Sequence, residues 1–191
     1  MGGMRHASNM ACVLLAAGHS RRWGPDNKLL ATWRGQPLAW HAARLLRGVP
    51  CRWRGVVCRD AGVASFFPDA IHLRPCGEEQ SDSLHRAVSF AANHKADFLL
   101  ILLADMPDLT LEDVARVGDA VTEDRPAAAI HSEGRFGPPA CFPKAMFTRM
   151  LRITADKGAG QLLQDAKGVP IPAAHLVDVD RPADIAAEGC S

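Results

Sequence analysis

The hydrophobic positions along the chain predict buried strands that alternate with amphipathic helices. Residues 11–16 and 98–103 are continuously apolar, which is typical of strands covered on both faces of a parallel sheet. Residues 37–46 and 81–92 are predicted helices, the second because its apolar residues recur at helical spacing. Thr110 is a candidate N-cap for a further helix. This alternation predicts an α/β domain with a largely parallel sheet.

Weaker patterns complete the predicted order of elements. Further strands are expected at 55–58, 70–73, 127–130, 139–142 and 174–177, and further helices at 145–151 and 159–166. Pro138 and Pro139 place the 139–142 strand near an edge of the sheet, because proline cannot donate to a strand ladder. Residues 1–10 are predicted to be a flexible N-terminal segment, and residues 11–191 to form the domain.

The composition, with 48% hydrophobic and 23% charged residues among 191, is that of an ordinary globular protein. A net charge of +1 gives no field that would attract nucleic acid or an anionic membrane. The apolar runs are far shorter than the roughly 20 residues of a membrane span, and the first ten residues do not resemble a secretory signal. We therefore expect a cytoplasmic protein with neither nucleic acid nor a membrane as its partner.

Residues 15–28 form the first candidate site, because ligands of parallel α/β sheets bind beyond the carboxyl ends of the strands. Gly18 lets the backbone approach a ligand closely, and Ser20 can donate hydrogen bonds. Three cations then fall within eight residues, namely Arg21, Arg22 and Lys28; such groups suit the concentrated charge of a triphosphate. The Walker and Gly-x-Gly-x-x-Gly patterns are absent. The segment predicts a phosphate-binding loop, and the alternative is an exposed basic turn.

Asp105 is the second candidate, since it lies just past the apolar run 98–103. A carboxylate at this edge of the sheet can bind Mg²⁺ together with substrate phosphates. In the alternative interpretation, Asp105 only caps the turn that Pro107 opens.

Both candidate sites resemble segments of a known family. Leu15-Ala-Ala-Gly-x-Ser-x-Arg, followed by Lys28, is similar to the signature loop of the nucleotidyltransferases that mature molybdenum cofactor. Asp105-Met-Pro resembles their metal-binding segment. The similarity is to the molybdenum cofactor cytidylyltransferase branch and extends over about residues 11–187. It implies a single Rossmann-like domain of three layers with a mostly parallel, mixed sheet.

The resemblance also implies a role for each matching residue. Asp105 and Asp180 would bind Mg²⁺, and the catalytic set would be Arg22, Lys28 and Asp105. Nucleotide contacts are implied for Leu15, Ala16, Ala17, Gly18, Ser20, Arg22, Lys28, Ser83 and Asp105. Ser83 and its neighbour Ser81 have an N-cap of the 81–92 helix as their alternative role. For Asp178, Asp180 and Asp184 the alternative interpretation is a solvated turn and an N-cap, which is reasonable for two of the three.

Three positions depart from the family pattern. Ala104 replaces a glycine before the metal-binding aspartate, and Arg181 replaces a threonine in the second metal-binding segment. Gly160 replaces an arginine. If that arginine binds the phosphate of the acceptor, the charge must come from elsewhere, such as Lys157.

The implied reaction transfers CMP from CTP to molybdenum-bound molybdopterin and releases pyrophosphate. Ala16-Ala17-Gly18 favours CTP, because Ala-Gly-Gly at this place favours guanylyl transfer in the family. A molybdoenzyme or its accessory protein is the expected protein partner. Three alternatives stay open: a molybdenum cofactor guanylyltransferase, a nucleotidyltransferase for sugar or isoprenoid phosphates, and a nucleotide-binding protein in which Gly160 and Arg181 mark lost catalysis.

Overall fold

A seven-stranded sheet runs through the protein, whose computed structural model describes residues 4–18, 23, 26–77, 79–154 and 159–188. The strands are β1 (Met10–Ala16), β2 (Thr32–Trp33), β3 (Gln36–Pro37), β4 (Trp53–Cys58), β5 (Ile71–Leu73), β6 (Phe98–Leu103), β7 (Ala127–Ile130), β8 (Phe136–Pro143) and β9 (Lys167–Pro170). Their order in the sheet is β5-β4-β1-β6-β8-β7-β9, and β2 and β3 form a separate hairpin.

Parallel pairing dominates the sheet. β1 pairs in parallel with β4 and β6, β4 with β5, and β7 with β9, whereas β8 runs antiparallel to β6 and β7. The register places Leu15 of β1 beside Leu103 of β6. Both strands therefore end at the same edge of the sheet, where the two candidate sites follow them.

Helices cover both faces of the sheet. They are α1 (Leu38–Gly48), α2 (Ala61–Ala64), α3 (Gln80–Asn93), α4 (Leu111–Ala120), α5 (Phe147–Met150) and α6 (Pro182–Glu188). Leu100 of β6 packs in one core with residues of α1 and α4, whereas Leu99 packs in the opposite core with residues of α3. Successive strand residues point to opposite faces, so the continuous apolar run supplies both cores. The prediction of a single Rossmann-like α/β domain with a mostly parallel, mixed sheet is confirmed.

The start of α4 follows the predicted capping pattern. Thr110 Oγ1 accepts a hydrogen bond from the Asp113 amide at 3.2 Å, and Asp113 Oδ2 accepts one from the Thr110 amide at 3.1 Å. This capping box satisfies amides that the first turn of a helix leaves without partners. The helix therefore begins where the sequence predicted.

The last strand of the sheet is not where the sequence predicted it. Residues 174–177 were expected to form a strand, but Ala173–Leu176 is a 3-10 helix and the strand is β9. Residues 167–170, Lys-Gly-Val-Pro, have little strand propensity of their own. Parallel pairing with β7 determines their conformation, and the local sequence does not report that contact. The helix predicted at 159–166 is also different in the structure, where a shorter 3-10 helix spans Ala159–Leu163.

The prediction of an edge position for the proline-containing strand is wrong. β8 lies between β6 and β7 in the interior of the sheet. The register of β7 against β8 steps from Ala128↔Ala140 to Ala129↔Gly137, so Pro138 and Pro139 lie in an irregular part of the ladder. Two residues that lack an amide donor are tolerated there, because a bulge interrupts the hydrogen bonding.

The N-terminal part of the described chain packs on the domain. Met10 is the first residue of β1, one position before the expected boundary, and Ala7–Asn9 forms a 3-10 helix. Met4 is buried, and its sulfur lies where a side chain at Gly118 would begin. Among the described helices, none has both the length and the apolar character that crossing a membrane requires.

Candidate active site

Lys28, Asp105 and Asp180 meet at the edge of the sheet where β1 and β6 end. The Lys28 ammonium nitrogen lies 2.6 Å from Asp105 Oδ2 and 3.2 Å from Asp180 Oδ1. Lys28 begins a 3-10 helix, Asp105 follows β6 by two residues, and Asp180 precedes α6. The structure thus brings together three residues that the sequence had singled out in separate segments.

Backbone hydrogen bonds position the two carboxylates. The Ala104 amide donates to the Leu15 carbonyl at 3.1 Å, which extends the pairing of β1 and β6 towards Asp105. The Val179 amide donates to the Asp105 carbonyl at 2.9 Å, and the Val179 side chain is fully buried. Asp180 is therefore carried by a segment that is bonded directly to the residue it faces.

The two carboxylates determine the charge state of Lys28. Burial alone would lower the pKa of Lys28, whose side chain is 12% exposed. The charges of Asp105 and Asp180, and their hydrogen bonds to Lys28, outweigh this effect and raise the pKa above its ordinary value. Lys28 is therefore a charged ammonium at neutral pH, and it offsets the repulsion between two like charges.

Asp178 lies two residues before Asp180, and its carboxyl group responds to the charges of the site. Desolvation by surrounding protein, followed by the negative charges of Asp105 and Asp180, raises the pKa of Asp178 to about 6. The residue as a whole is exposed, so solvent screens the effect of these charges. His131, just after β7, acts in the opposite direction. The Asp-x-Asp spacing was the available signal, since residues two apart in an extended segment share a face.

Asp184 is in the first turn of α6 rather than at its N-cap, and its side chain reaches back to the residues before the helix. Its Oδ2 accepts hydrogen bonds from the Asp180 amide at 2.8 Å and from the Arg181 amide at 2.7 Å. These contacts use only the backbone of Arg181. The replacement of threonine by arginine at position 181 therefore leaves the Asp180 backbone bonded to the start of α6.

A cavity of about 320 Å³ lies next to this cluster. Its described walls are mostly apolar, with two hydroxyl groups and no charged side chain: Leu15, Ser81, Leu84, Ile101, Leu103, Phe136, Gly137, Pro138, Ala140, Phe142, Ile153, Thr154, Gly160 and Leu163. Leu15 and Leu103 end the two strands that lead to the charged residues. The site thus combines a charged edge with an apolar interior, as ligand sites commonly do.

Residues 12–171 match the family of MobA-like NTP transferase domains. The chain belongs to this family. A molybdenum cofactor guanylyltransferase from Shewanella amazonensis is 28% identical over 130 residues, which cover 66% of this chain and 64% of that protein. The match therefore spans somewhat less than two thirds of the curated relative.

Solved structures share the MobA-like fold. A homologue of Rv0371c from Mycobacterium sp. strain JC1 has a TM-score of 0.79 at 22% identity, with 94% of each chain covered. Rv0371c of Mycobacterium tuberculosis in complex with manganese has a TM-score of 0.69 at 20% identity, over 94% of this chain and 97% of that chain. These similarities support the fold, independently of any activity.

The predicted nucleotide loop of this MobA-like domain is described only in part. Leu15 lines the cavity, whereas Ala16 and Ala17 are largely buried. At Gly18 a β-carbon would meet no atom of the described residues within 4 Å. The predicted contacts of Ser20 and Arg22 lie outside the described residues, as does Lys157.

Ser83 and Ser81 occupy different positions on α3. Ser83 is buried, whereas Ser81 lines the cavity. Neither residue caps the helix, because the N-cap is Glu79, which forms a capping box with Asp82. The suggested N-cap role of these serines is therefore wrong, and Ser81 has the more accessible hydroxyl group.

Asp178→Asn should remove a pH-dependent loss of stability. The carboxyl has a pKa of about 6 in the folded protein and about 3.9 when unfolded. Between these values the folded state binds more protons, so the parent loses stability as pH rises from about 4 to 6. The full shift would correspond to about 3 kcal/mol, which solvent screening of this partly exposed group reduces to about 1 kcal/mol.

Urea unfolding in a metal chelator at a series of pH values measures this effect. The advantage of Asp178→Asn over the parent should be near zero at pH 4 and reach its full value above pH 6. A difference between the two proteins that stays constant from pH 4 to pH 8 would contradict the raised pKa of Asp178.

Proposed function

We propose that this chain is a nucleotidyltransferase that joins a nucleoside monophosphate from an NTP to the phosphate of a small acceptor. The supporting observation is the meeting of Lys28 with Asp105 and Asp180, in a MobA-like domain, at the edge where α/β sheets bind ligands. Nucleotidyl transfer needs no covalent enzyme intermediate. It needs phosphates that are correctly positioned and charge that is neutralised, and the cluster offers both.

A divalent cation fits between Asp105 and Asp180. The compact ammonium group of Lys28 already contacts one oxygen of each carboxylate, so a cation can bind both at once. A pair of carboxylates suits Mg²⁺, which proteins commonly bind through one or two carboxylates together with substrate phosphates. Mg²⁺ bound there would supply Lewis-acid polarisation of the α-phosphate. The manganese complex of Rv0371c supports a divalent cation in this fold.

Lys28 has two successive partners in this proposal. Without nucleotide, its ammonium group neutralises Asp105 and Asp180. With nucleotide bound, the ammonium group turns to the phosphates and leaves the carboxylates available to a cation. Arg22 is proposed as the second phosphate-binding cation. Both groups would stabilise the charge that develops on the leaving pyrophosphate.

The acceptor phosphate is the nucleophile in the proposed reaction. One of its oxygens forms a bond to the α-phosphorus, while the bond from that phosphorus to the bridging oxygen of the β-phosphate breaks. The electron pair of the broken bond leaves with pyrophosphate. A phosphate is already ionised near neutral pH, so the reaction requires no general base. The chain's residues therefore act by holding the two phosphates in line.

CTP is the proposed donor, on the basis of the Ala16-Ala17-Gly18 sequence. The resemblance supports this choice, because Ala-Gly-Gly at this place favours guanylyl transfer in the family. GTP is the second candidate, because the curated relative from Shewanella amazonensis is a guanylyltransferase.

The cavity supports an acceptor with a flat or apolar body. Burying the hydroxyl groups of a sugar against apolar walls leaves them without hydrogen-bond partners, which costs free energy. The faces of a fused ring system can instead pack against Phe136 and Phe142. We therefore favour molybdenum-bound molybdopterin over sugar phosphates as the acceptor. A molybdoenzyme or its accessory protein would then receive the product.

Asp105→Asn tests the carboxylate at the centre of the proposal. The substitution keeps the size of the side chain but removes its charge, so turnover measured as pyrophosphate release should fall on the order of 10²–10³-fold. Stability without ligands should change little, because the loss of the Lys28 contact opposes the relief of repulsion from Asp178 and Asp180.

Asp108→Asn is the matched control for this test. Asp108 lies in the same connection and pairs with Arg34 at 2.7 Å, away from Lys28. It should keep turnover within about twofold of the parent, as expected for a partly exposed ion pair. An Asp105→Asn protein with parental turnover at saturating Mg²⁺ would refute the metal-binding role.

Lys28→Met should increase the affinity of the nucleotide-free protein for Mn²⁺ and also decrease turnover. The variant removes the ammonium group that competes for Asp105 and Asp180. A contact between charged groups contributes about 1.5–3 kcal/mol, so the Kd for Mn²⁺ should fall by about tenfold or more. Electron paramagnetic resonance of free Mn²⁺ measures the Kd directly.

Lys144→Met provides the control, since Lys144 pairs with Asp97 at 2.5 Å near the opposite end of β6. It should leave Mn²⁺ binding unchanged. If Lys28→Met binds Mn²⁺ no better than the parent, Asp105 and Asp180 do not form the cation site.

The proposed base preference predicts that CTP with Mg²⁺ raises the melting temperature more than an equal concentration of GTP, because the tighter ligand stabilises more. Ala17→Gly creates the Ala-Gly-Gly sequence and should narrow or reverse the difference between the two nucleotides. Thermal unfolding with each NTP gives the result. Greater stabilisation of the parent by GTP would favour the guanylyltransferase instead.

A further inference from the structure

His175 and Asp113 form a part-buried contact outside the cluster of charged residues. His175 Nδ1 lies 2.8 Å from Asp113 Oδ2, and the Asp113 side chain is only 4% exposed. A carboxylate only accepts hydrogen bonds, so Nδ1 carries the proton and donates it. The same Oδ2 also accepts from Thr110 Oγ1 at 2.6 Å. Asp113 thus does more than cap α4, since the cap alone does not require an imidazole.

This contact joins the two chain segments that carry the metal-binding carboxylates. Asp113 is in the first turn of α4, which directly follows the connection containing Asp105. His175 is in the 3-10 helix Ala173–Leu176, which directly precedes the segment containing Asp180. Asp113 follows Asp105 by eight positions, and His175 precedes Asp180 by five.

The segment between His175 and Asp180 has no regular secondary structure of its own. Residues 177–180 form neither helix nor strand. The Val179 amide donates a hydrogen bond to the carbonyl of Asp105, which follows β6 by two residues. Downstream, the Asp184 carboxylate accepts a hydrogen bond from the amide of Asp180. The contact of His175 with Asp113 supplies the upstream attachment, so the segment is held before, at and after Val179.

We propose that Asp113 and His175 are positioning residues for the cation site: their contact sets the spacing of Asp105 and Asp180. The inference rests on the proposed function, because it takes these two aspartates as the cation ligands. Outer groups that orient metal-binding carboxylates commonly change metal affinity by about 10–100-fold when removed. His175 and Asp113 would act in this way through the backbone of residues 176–180.

His175→Leu is the test variant, and His175→Asn is the conservative one, because the Asn amide can donate from near the position of Nδ1. His175→Leu should raise the Kd for Mn²⁺ about tenfold in the nucleotide-free protein and lower kcat more than it changes the KM for CTP. Amide hydrogen exchange at Val179 should accelerate. His175→Asn should restore most of the Mn²⁺ affinity and of the protection at Val179.

His72→Leu is the matched control, since His72 Nε2 lies 2.9 Å from the Phe67 carbonyl in a part of the fold that carries no site residue. It should leave the Kd for Mn²⁺ at the parental value. If the parent binds Mn²⁺ and His175→Leu binds it equally well, the positioning role is refuted while the proposed function stands. If the parent binds no Mn²⁺ with or without CTP, the cation site of the proposed function fails and this inference fails with it.

Discussion

Two like charges remain close together at the edge of the sheet because the ammonium group of Lys28 lies between Asp105 and Asp180. Repulsion between carboxylates would otherwise separate them or protonate one of them. The β1–β6 register places Asp105, and the bond from Val179 to its carbonyl places Asp180. Lys28 is therefore the group that allows the two carboxylates to share one site.

The parts of the fold that the sequence predicted well are those determined locally. The strand at 98–103 was predicted with its observed bounds, because six consecutive apolar residues cannot be placed on a surface. Its position explains why Asp105 could be singled out. The start of α4 was equally predictable, since a capping box needs only two residues three positions apart.

Features that depend on distant contacts could not be predicted in this way. Strand β9 forms through pairing with β7, and β8 is interior because it pairs with both β6 and β7, with an irregular register where its prolines lie. The contact of His175 with Asp113 joins residues separated by 62 positions. Asp178 shows the same difficulty, because its raised pKa arises first from desolvation by the surrounding protein and then from the charges of Asp105 and Asp180, and only the folded chain supplies the desolvation and brings Asp105 near.

Lys28 and Asp180 are separated by 152 positions in the sequence. A contact between residues so far apart forms only after the intervening chain has condensed, because closing a long loop costs entropy before the contact offers any gain. A partly folded molecule without this contact would lack the proposed cation site. Under the proposed function, ligand affinity should therefore report how completely the chain has folded.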